Sequence, residues 1–453
     1  MIVLVLLAQL QAAPSTVRLS LPRPPGVHIV DVSPPEARGN EPGIAVNRRN
    51  PAQIVGVYQG PAHAVYSTDS GRTFTTAEGT VPPDWKTAGD VSVAFDDKGN
   101  AYLSDLVFDK LGSESYWRHG AGRNGIYVRR SPDGGKTWQK DAAPVRVWYK
   151  GDEPGMQFED MPRVFADANP RSPHAGNVYI GWIEWRIDES VMLFSRSTDQ
   201  GKTWSAPMRI STQAGLPRDD NGDVVGFHGT VAADGTIYAV WNWGLNIVMT
   251  TSRDGGKTFT PSRVVQQVGP PYFGGTGAVP GLGRVFGFPQ VGVHGRNVYL
   301  TWSDFRNGDI DVFLAASRDA GQSWSAPVRV TTDSIHSGRD QFFQFLAVDP
   351  VNGDVYVQFY DRRDDPADRL TALTLARSTD GGRTFANYAW SEAPFEGRNA
   401  FLGDYTWLTA YDGRVYGIWA ETRPFEEASA PGRQGPPRAG TVVRIGTADF
   451  GRK

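Results

Sequence analysis

Apolar and polar positions alternate along most of this chain, and they do so in a fixed succession. Runs with a period of two, rich in β-branched and aromatic residues, read as strands: Ile54 to Tyr58, Ala101 to Leu106, Val178 to Trp182, Ile237 to Trp241, Val298 to Trp302, Val355 to Phe359 and Val415 to Trp419. Upstream of each lies a second such run, at Gly43 to Val46, Val91 to Phe95, Arg163 to Ala166, Gly229 to Ala232, Gln290 to Val293, Phe345 to Val348 and Trp407 to Ala410. Turn residues such as Asp97 to Asn100, or Asp234 with Gly235, join the two as a tight hairpin. Downstream comes an eight-residue element, S-x-D-x-G-x-T/S-W/F. It stands at Ser67 to Phe74, Ser131 to Trp138, Ser197 to Trp204, Ser252 to Phe259, Ser317 to Trp324 and Ser378 to Phe385, with starts 55 to 66 residues apart. A shortened copy, Thr447 to Gly451, ends the series.

A repeat of that length is one supersecondary unit. The order is strand a, turn, strand b, variable loop, strand c, box turn, strand d. Seven such units predict an all-β, seven-bladed β-propeller of four-stranded antiparallel blades, with residues 14–453 as one domain. The seventh unit has a strand c, Thr441 to Ile445, but no strand d of its own. The β-like segment Val27 to Val32 is therefore expected to close the ring as the outer strand of the last blade, removing an open edge. A six-bladed ring is the alternative.

Within each box, Asp and Ser are suited to capping the turn, Gly to a conformation other residues reach at a cost, and the final aromatic to packing in the blade core. One Asp per turn supplies too few oxygens for calcium. These octapeptides resemble the Asp boxes of the sialidase and BNR-repeat superfamily, whose members are propellers, and the resemblance spans essentially the whole mature chain. It implies a sialidase-type propeller fold; function resides in sites grafted onto folds.

Composition narrows the chemistry. The 453 residues are 40% apolar and 21% charged, which excludes disordered, collagenous and membrane-embedded classes. A net charge of −3 gives no electrostatic case for nucleic acid or an anionic membrane as partner. The absence of Cys removes disulfides, thiolate zinc sites and cysteine nucleophiles. The seven His show no HExxH or paired spacing, and Asp219 to Asp223 has Thr230 where a calcium loop needs Glu, so no metal or cofactor is expected. The apolar run Ile2 to Leu7, followed by Ala12, Ala13 and Pro14, reads as a signal peptide over residues 1–13, implying a secreted or periplasmic protein. The run is too short to span a bilayer.

Strand alternation puts the d-to-a connections and b-to-c loops on one face, and the hairpins and boxes on the other. The long insertions, Asp109 to Gly125, Gln139 to Asp160, Val265 to Gly287 and Pro424 to Gly440, all fall on the first face, where binding and catalysis are usually placed. At its rim four blades repeat acid-x-Arg: Glu184 and Arg186, Asp304 and Arg306, Asp361 and Arg363, Glu421 and Arg423. These form either interblade ion pairs or a polar funnel whose arginines bind a substrate carboxylate. Residues at the start of strand a should line the axial opening: Glu41, Asp90, Asp160, Arg163, His228, Gln290, Gln344, Asp404 and Tyr405. A carboxylate-rich ring with one Tyr matches what glycoside cleavage requires, a proton donor and a nucleophile or base.

The sialidase resemblance implies a Tyr nucleophile activated by a Glu, an Asp acid/base and three Arg for the substrate carboxylate. On this chain it points to Tyr405 as nucleophile, Glu184 as activator and Asp90 or Asp105 as acid. The family's first Arg lies in an F/Y-R-I-P motif; here Pro42 matches, Asn40 occupies the Arg position, and Arg38 stands two residues earlier. The expected function is an exported exo-α-sialidase-type hydrolase of glycans or glycoconjugates. Two alternatives stand beside it: a non-catalytic glycan- or protein-binding propeller, and a glycosidase of neutral sugars working through two carboxylates.

Overall fold

Seven copies of one antiparallel sheet meet along a common axis in the computed structural model. It describes residues 17–34, 37–60, 63–80, 85, 87–109, 123–149, 158–217, 222–270, 275–276, 278–397, 401–424 and 439–451. Strand a of the successive blades is Asn40–Val46, Thr87–Phe95, Phe158–Ala166, Val224–Val231, Gln290–His294, Gln341–Val348 and Trp407–Tyr411. Each packs against the next and the last against the first, so these strands line the axis and the ring is closed.

The closing strand is the one expected from the N-terminal segment. His28–Asp31 pairs antiparallel with the last strand c, Ala439–Asp449, in the register His28 to Thr447 through Asp31 to Arg444. The Asp31 carboxylate sits 2.7 Å from Arg444 Nε. The seventh blade is thus built from both ends of the chain, and the six-bladed alternative falls away.

Strand b carries a large apolar side chain at its fifth position. Trp182, Trp241, Trp302, Phe359 and Trp419 are all fully buried there, each contributing about 1.5–3 kcal/mol through burial. Blade 2 departs from this pattern, because Asp105 occupies the equivalent position. Asp105 is completely buried and paired with Arg129 on strand c, 2.5 Å away, and Arg129 also donates to the carbonyl of Gly79. Removing either partner would leave an uncompensated charge in the sheet.

The boxes form the c-to-d turns, and their geometry repeats. In blade 3, Ser197 Oγ donates to Asp199 Oδ1 at 2.8 Å and accepts the Gly201 N–H at 2.8 Å, while Thr203 Oγ1 donates to Asp199 Oδ2 at 2.6 Å. Each Asp side chain accepts several hydrogen bonds, which holds Asp69 near a pKa of about 2. The boxes also join neighbouring blades. Gly135 has φ +93°, and a methyl on it would lie 2.3 Å from Val55 Cγ2 of the preceding blade, so only glycine fits there. The closing aromatic, expected inside its own blade, packs at this seam instead: Phe259 meets Phe194 of blade 3 edge-on at 4.7 Å, and Phe450 of the shortened copy lies 5.6 Å from Tyr356 of blade 6.

Replacing Ser197 by Ala leaves the buried Gly201 N–H without its acceptor and is expected to cost about 1–3 kcal/mol in a denaturant titration; an unchanged midpoint would contradict a stabilising role for the box. The box aspartates have depressed pKa values, so their stabilisation is present above the unfolded carboxylate range and lost as pH falls toward about 2.

Candidate functional site

Five of the seven innermost strands begin with a bulge. The register slips between Asn40 and Gly43, Gly89 and Ser92, Asp160 and Arg163, Val225 and His228, and Phe342 and Phe345. At each slip one residue takes a positive φ: Glu41 at 47°, Asp90 at 47°, Met161 at 50°, Gly226 at 75° and Phe343 at 51°. For the non-glycine residues this conformation costs about 1–3 kcal/mol apiece. The bulge bends the strand and re-aims a side chain that would otherwise continue the alternation.

Three bulges therefore bring carboxyls together: Glu41, Asp90 and Asp160. A fourth, Asp404, arrives on the connection into blade 7. Gly403 has φ +90°, and a methyl there would lie 2.5 Å from the Glu41 backbone N, so glycine alone lets this connection rest on blade 1. Asp90 is anchored through its backbone, its N–H donating to Gln59 Oε1 at 3.0 Å. Trp185 Nε1 donates to Asp160 Oδ2 at 2.9 Å. Arg284 clamps Asp404 with two donors, Nε at 2.7 Å and Nη2 at 2.5 Å.

Beneath the carboxyls lie Tyr405 and Arg163, both buried, the guanidinium 3.7 Å from the centre of the phenol ring and 5.4 Å from Trp407. Tyr405 Oη and Arg163 Nη1 are buried without a well-formed hydrogen bond, though the guanidinium lies close enough to act on the phenol oxygen. Trp407 stacks on Phe345 at 4.3 Å, and His228 meets Phe345 edge-on at 5.3 Å. These three side chains and Arg163 also roof a cavity of about 560 Å³ whose other end, near Arg48, Asp97 and His294, lies among the a-to-b hairpins.

Burial governs the proton affinities. It lifts Glu41 well above the usual carboxylate range, helped by the charges of Asp90 and Asp404 and opposed by Arg284 and Arg163. Asp160 rises likewise, by burial and the charge of Asp90, against the Trp185 hydrogen bond. Asp404 is pushed up to about 6 by burial, with Arg284 pulling the other way. Burial also raises the Tyr405 phenol; Arg163 opposes this, while Glu41 and Asp90 add to it. His228 falls to about 3 through burial and the Arg163 charge, so its ring is neutral, with Nδ1 3.2 Å from the Val291 N–H.

Of the residues singled out from the sequence, Glu41, Asp90, Asp160, Arg163, Asp404 and Tyr405 converge. Glu184 does not reach Tyr405. It is held at the seam of blades 2 and 3, by Arg186 of its own blade at 2.7 Å and by Arg146 of blade 2 at 3.5 Å, beside Glu159, and Glu41 is the glutamate whose charge acts on the phenol. Asp105 is likewise removed from the cluster by its buried pairing with Arg129, burial lifting its carboxyl to about 6. Arg38 is exposed, and Asn40 Nδ2 donates to its carbonyl. The rim arginines Arg186, Arg306, Arg363 and Arg423 each lie beside the acid two residues earlier, Glu184, Asp304, Asp361 and Glu421, at 2.5 to 3.6 Å. Arg306 and Arg363 also reach back toward the preceding blade, to the Gln267 carbonyl and Thr332 Oγ1. Gln344 is engaged with the Phe288 carbonyl and Gln290. Residues 1–13 and much of the other insertions, including Tyr116, Trp117 and Asp219 to Asn221, lie outside the described residues.

Sequence reasoning missed Arg284. It sits in the glycine-rich insertion between blades 4 and 5, which crosses toward blades 6 and 7: Arg362, itself buried, donates to the Pro280 carbonyl, and the Arg284 guanidinium lies 5.1 Å from Phe401. The length of that insertion was its only signal. Among the described residues no group of three or more His, Asp or Glu is arranged to hold a metal ion, and no helix is long and apolar enough to cross a membrane.

Fold and boxes together define the class, a seven-bladed Asp-box β-propeller. The BNR/Asp-box repeat family matches at residues 195–206, the box of blade 3. No curated protein matches the chain at the level of sequence. Among solved structures, the phage phi92 endosialidase is similar with a TM-score of 0.53 and 10% identity, covering 94% of this chain and 70% of that one. A Hadza microbial sialidase gives 0.46 and 16%, covering 88% and 73%, and an α-L-arabinofuranosidase from Fusarium graminearum gives 0.47 and 13%, covering 82% and 98%. At these identities the likeness is one of fold.

The Asp90 charge raises Glu41, Asp160 and Asp404 alike. In Asp90→Asn all three should titrate at lower pH, Asp404 from its value of about 6, as followed by carboxyl-carbon NMR; an unmoved Asp404 midpoint would show that the carboxyls do not sense one another.

Proposed function

We propose that this chain is a glycan-directed glycoside hydrolase whose reaction takes place at the axial cluster. The observation carrying this reading is the buried Tyr405 and Arg163 pair, its phenol oxygen held by no well-formed hydrogen bond, beside Asp90 and three carboxyls, Glu41, Asp160 and Asp404, that are lifted above their ordinary range. Cleaving a glycosidic bond needs a proton for the departing oxygen and a nucleophile or base on the other side of the sugar. A carboxyl lifted well above its ordinary range keeps its proton near neutrality, so Glu41 or Asp160 is the acid. Asp90, half-buried at the opening and without a hydrogen bond to its carboxylate among the described residues, is the base or nucleophile. The phi92 neighbour contributes the architecture to this argument; the chemistry rests on the cluster. The N-terminal apolar run supports export as part of the same reading.

A second version follows the sialidase resemblance more closely. There Tyr405 attacks, Glu41 rather than Glu184 takes its proton, and Asp90 is the acid. What supports this version is the nearness of Glu41 to the phenol, which puts a proton acceptor beside it, although the charge of Glu41 itself raises the phenol's proton affinity. A non-catalytic propeller remains the competitor to both.

Glu41→Gln and Asp160→Asn separate these possibilities in assays with aryl glycosides. Losing the proton donor should lower kcat by about 10²- to 10⁴-fold and remove the alkaline limb of the pH profile. Tyr405→Phe should abolish turnover only if the phenol is the nucleophile. Full activity in the Glu41→Gln, Asp160→Asn double variant would overturn the assignment of the cluster, and absence of turnover across a broad panel would favour the binder.

A further inference from the structure

We propose that the cavity at the hairpin face is a second ligand site, separate from the axial cluster and built for a small carboxylate with an aromatic body. Its volume of about 560 Å³ lies within the range of small-molecule sites. Most strand-a side chains are buried, yet Ala94, Val231, Val293 and Val348, from blades 2, 4, 5 and 6, are only half-buried, and all four line this shaft. Its wall is therefore aliphatic. Rings close the inner end: Trp407 stacks on Phe345 at 4.3 Å, and His228 meets Phe345 edge-on at 5.3 Å. His228 accepts the Val291 N–H at Nδ1, and burial lowers its pKa to about 3, so this end carries an uncharged ring. The Arg163 guanidinium lies against the Tyr405 ring of the axial cluster, 3.7 Å from its centre. Such a shaft suits an aryl group, which gains from burial and from ring contacts.

The mouth supplies the charge. Arg48 follows strand a of blade 1 in the first a-to-b hairpin and lines the cavity. It is exposed, yet the surrounding chain lowers its proton affinity by burial, and the groups whose charges act on it, Tyr411, Asp349 and Asp167, belong to blades 7, 6 and 3. Neighbours from blades so far apart place the Arg48 guanidinium over the axis. It has no hydrogen bond or ion pair with any described residue. The acids around it are engaged elsewhere. Asp349 accepts the N–H groups of Val351 and Gly413, each at 2.8 Å, and Asp167 accepts the Asn169 N–H and the Ser172 hydroxyl. Asp96 accepts the N–H groups of Lys98 and Asn100 and the Tyr102 hydroxyl, while Asp97 Oδ1 packs against Gly176 of the next hairpin. The acids hold the hairpins in shape, and the Arg48 fork is left open at the end of an apolar shaft. A guanidinium fork matches a carboxylate through two parallel donors.

Calorimetric titration of the full chain with 4-phenylbutyrate, 4-phenylbutyramide and 4-phenylbutylamine tests this, since the probes share a shape and differ in charge. The expected result is a Kd below about 1 mM for the acid and binding at least about tenfold weaker for the amide. Equal affinity for acid and amide, tighter binding of the amine, or no binding of the acid would overturn the proposal. Arg48→Met, a change at an exposed position, should weaken acid binding by about tenfold. Val231→Trp, which fills the shaft, should abolish it, and Asp90→Asn, in the axial cluster, should leave it unchanged. Acid binding that survives Arg48→Met undiminished, or that is lost in Asp90→Asn, puts the ligand elsewhere and overturns the site. None of these outcomes depends on glycoside turnover, so the hydrolase reading stands or falls separately.

Discussion

A closed ring of seven sheets gives every innermost strand the same obligation. Its middle must pack against two neighbours near the axis, and only its ends can vary. The bulges at Glu41, Asp90, Met161, Gly226 and Phe343 are where that freedom is used. Each breaks the pairing for two residues and turns side chains toward the axis, and the sheet beyond it resumes its register. The carboxyl cluster is a consequence of this constraint, since no single blade carries more than one member of it on strand a. The strained φ values persist because the flanking strands, held by fully buried b-strand aromatics, leave the chain no relaxed alternative.

Closure is also what makes the boxes matter away from their own turns. A box glycine without a Cβ rests on the preceding blade, and the box aromatic fills the seam. The last blade is completed by His28–Asp31, so the first and last parts of the chain hold one sheet together. The positions of Glu41 on blade 1 and Asp404 at blade 7, pressed together at Gly403, depend directly on that closure. The acidic site therefore lies at the join of the ring, and its geometry is tied to the stability of the whole.

Much of this was legible in the sequence, for identifiable reasons. The boxes are periodic and built from residues with narrow roles, so the blade count and the N-terminal closing strand followed from spacing alone. Face and order were enough to place Glu41, Asp90, Asp160, Arg163, Asp404 and Tyr405 around one opening. What escaped was set by register. Asp105 occupies a slot that aromatics or large apolar residues fill in other blades, and only an alignment of strand b across the blades reveals it as half of a buried pair with Arg129. Glu184 has the right face, but Arg186 of its own blade and Arg146 of blade 2 hold it at the seam between the two sheets. Positive φ at Glu41, Asp90, Met161 and Phe343 leaves no compositional trace, because none of them is glycine. Arg284 comes from an aperiodic segment, and nothing local marks it as the partner of Asp404, which lies far along the chain.

The charge pattern gives the site its character. Burial and mutual repulsion keep protons on carboxyls that would be bare in water, while one arginine is clamped and the other lies flat on a phenol. The most direct test of this picture is a crystal structure of the full chain with a basic iminosugar, whose ammonium mimics a positively charged transition state. The account predicts that it binds on the axis above Tyr405, its nitrogen within hydrogen-bond distance of Asp90 or Asp160. Occupation only of the cavity at the hairpin face, with the four carboxyls untouched, would contradict it.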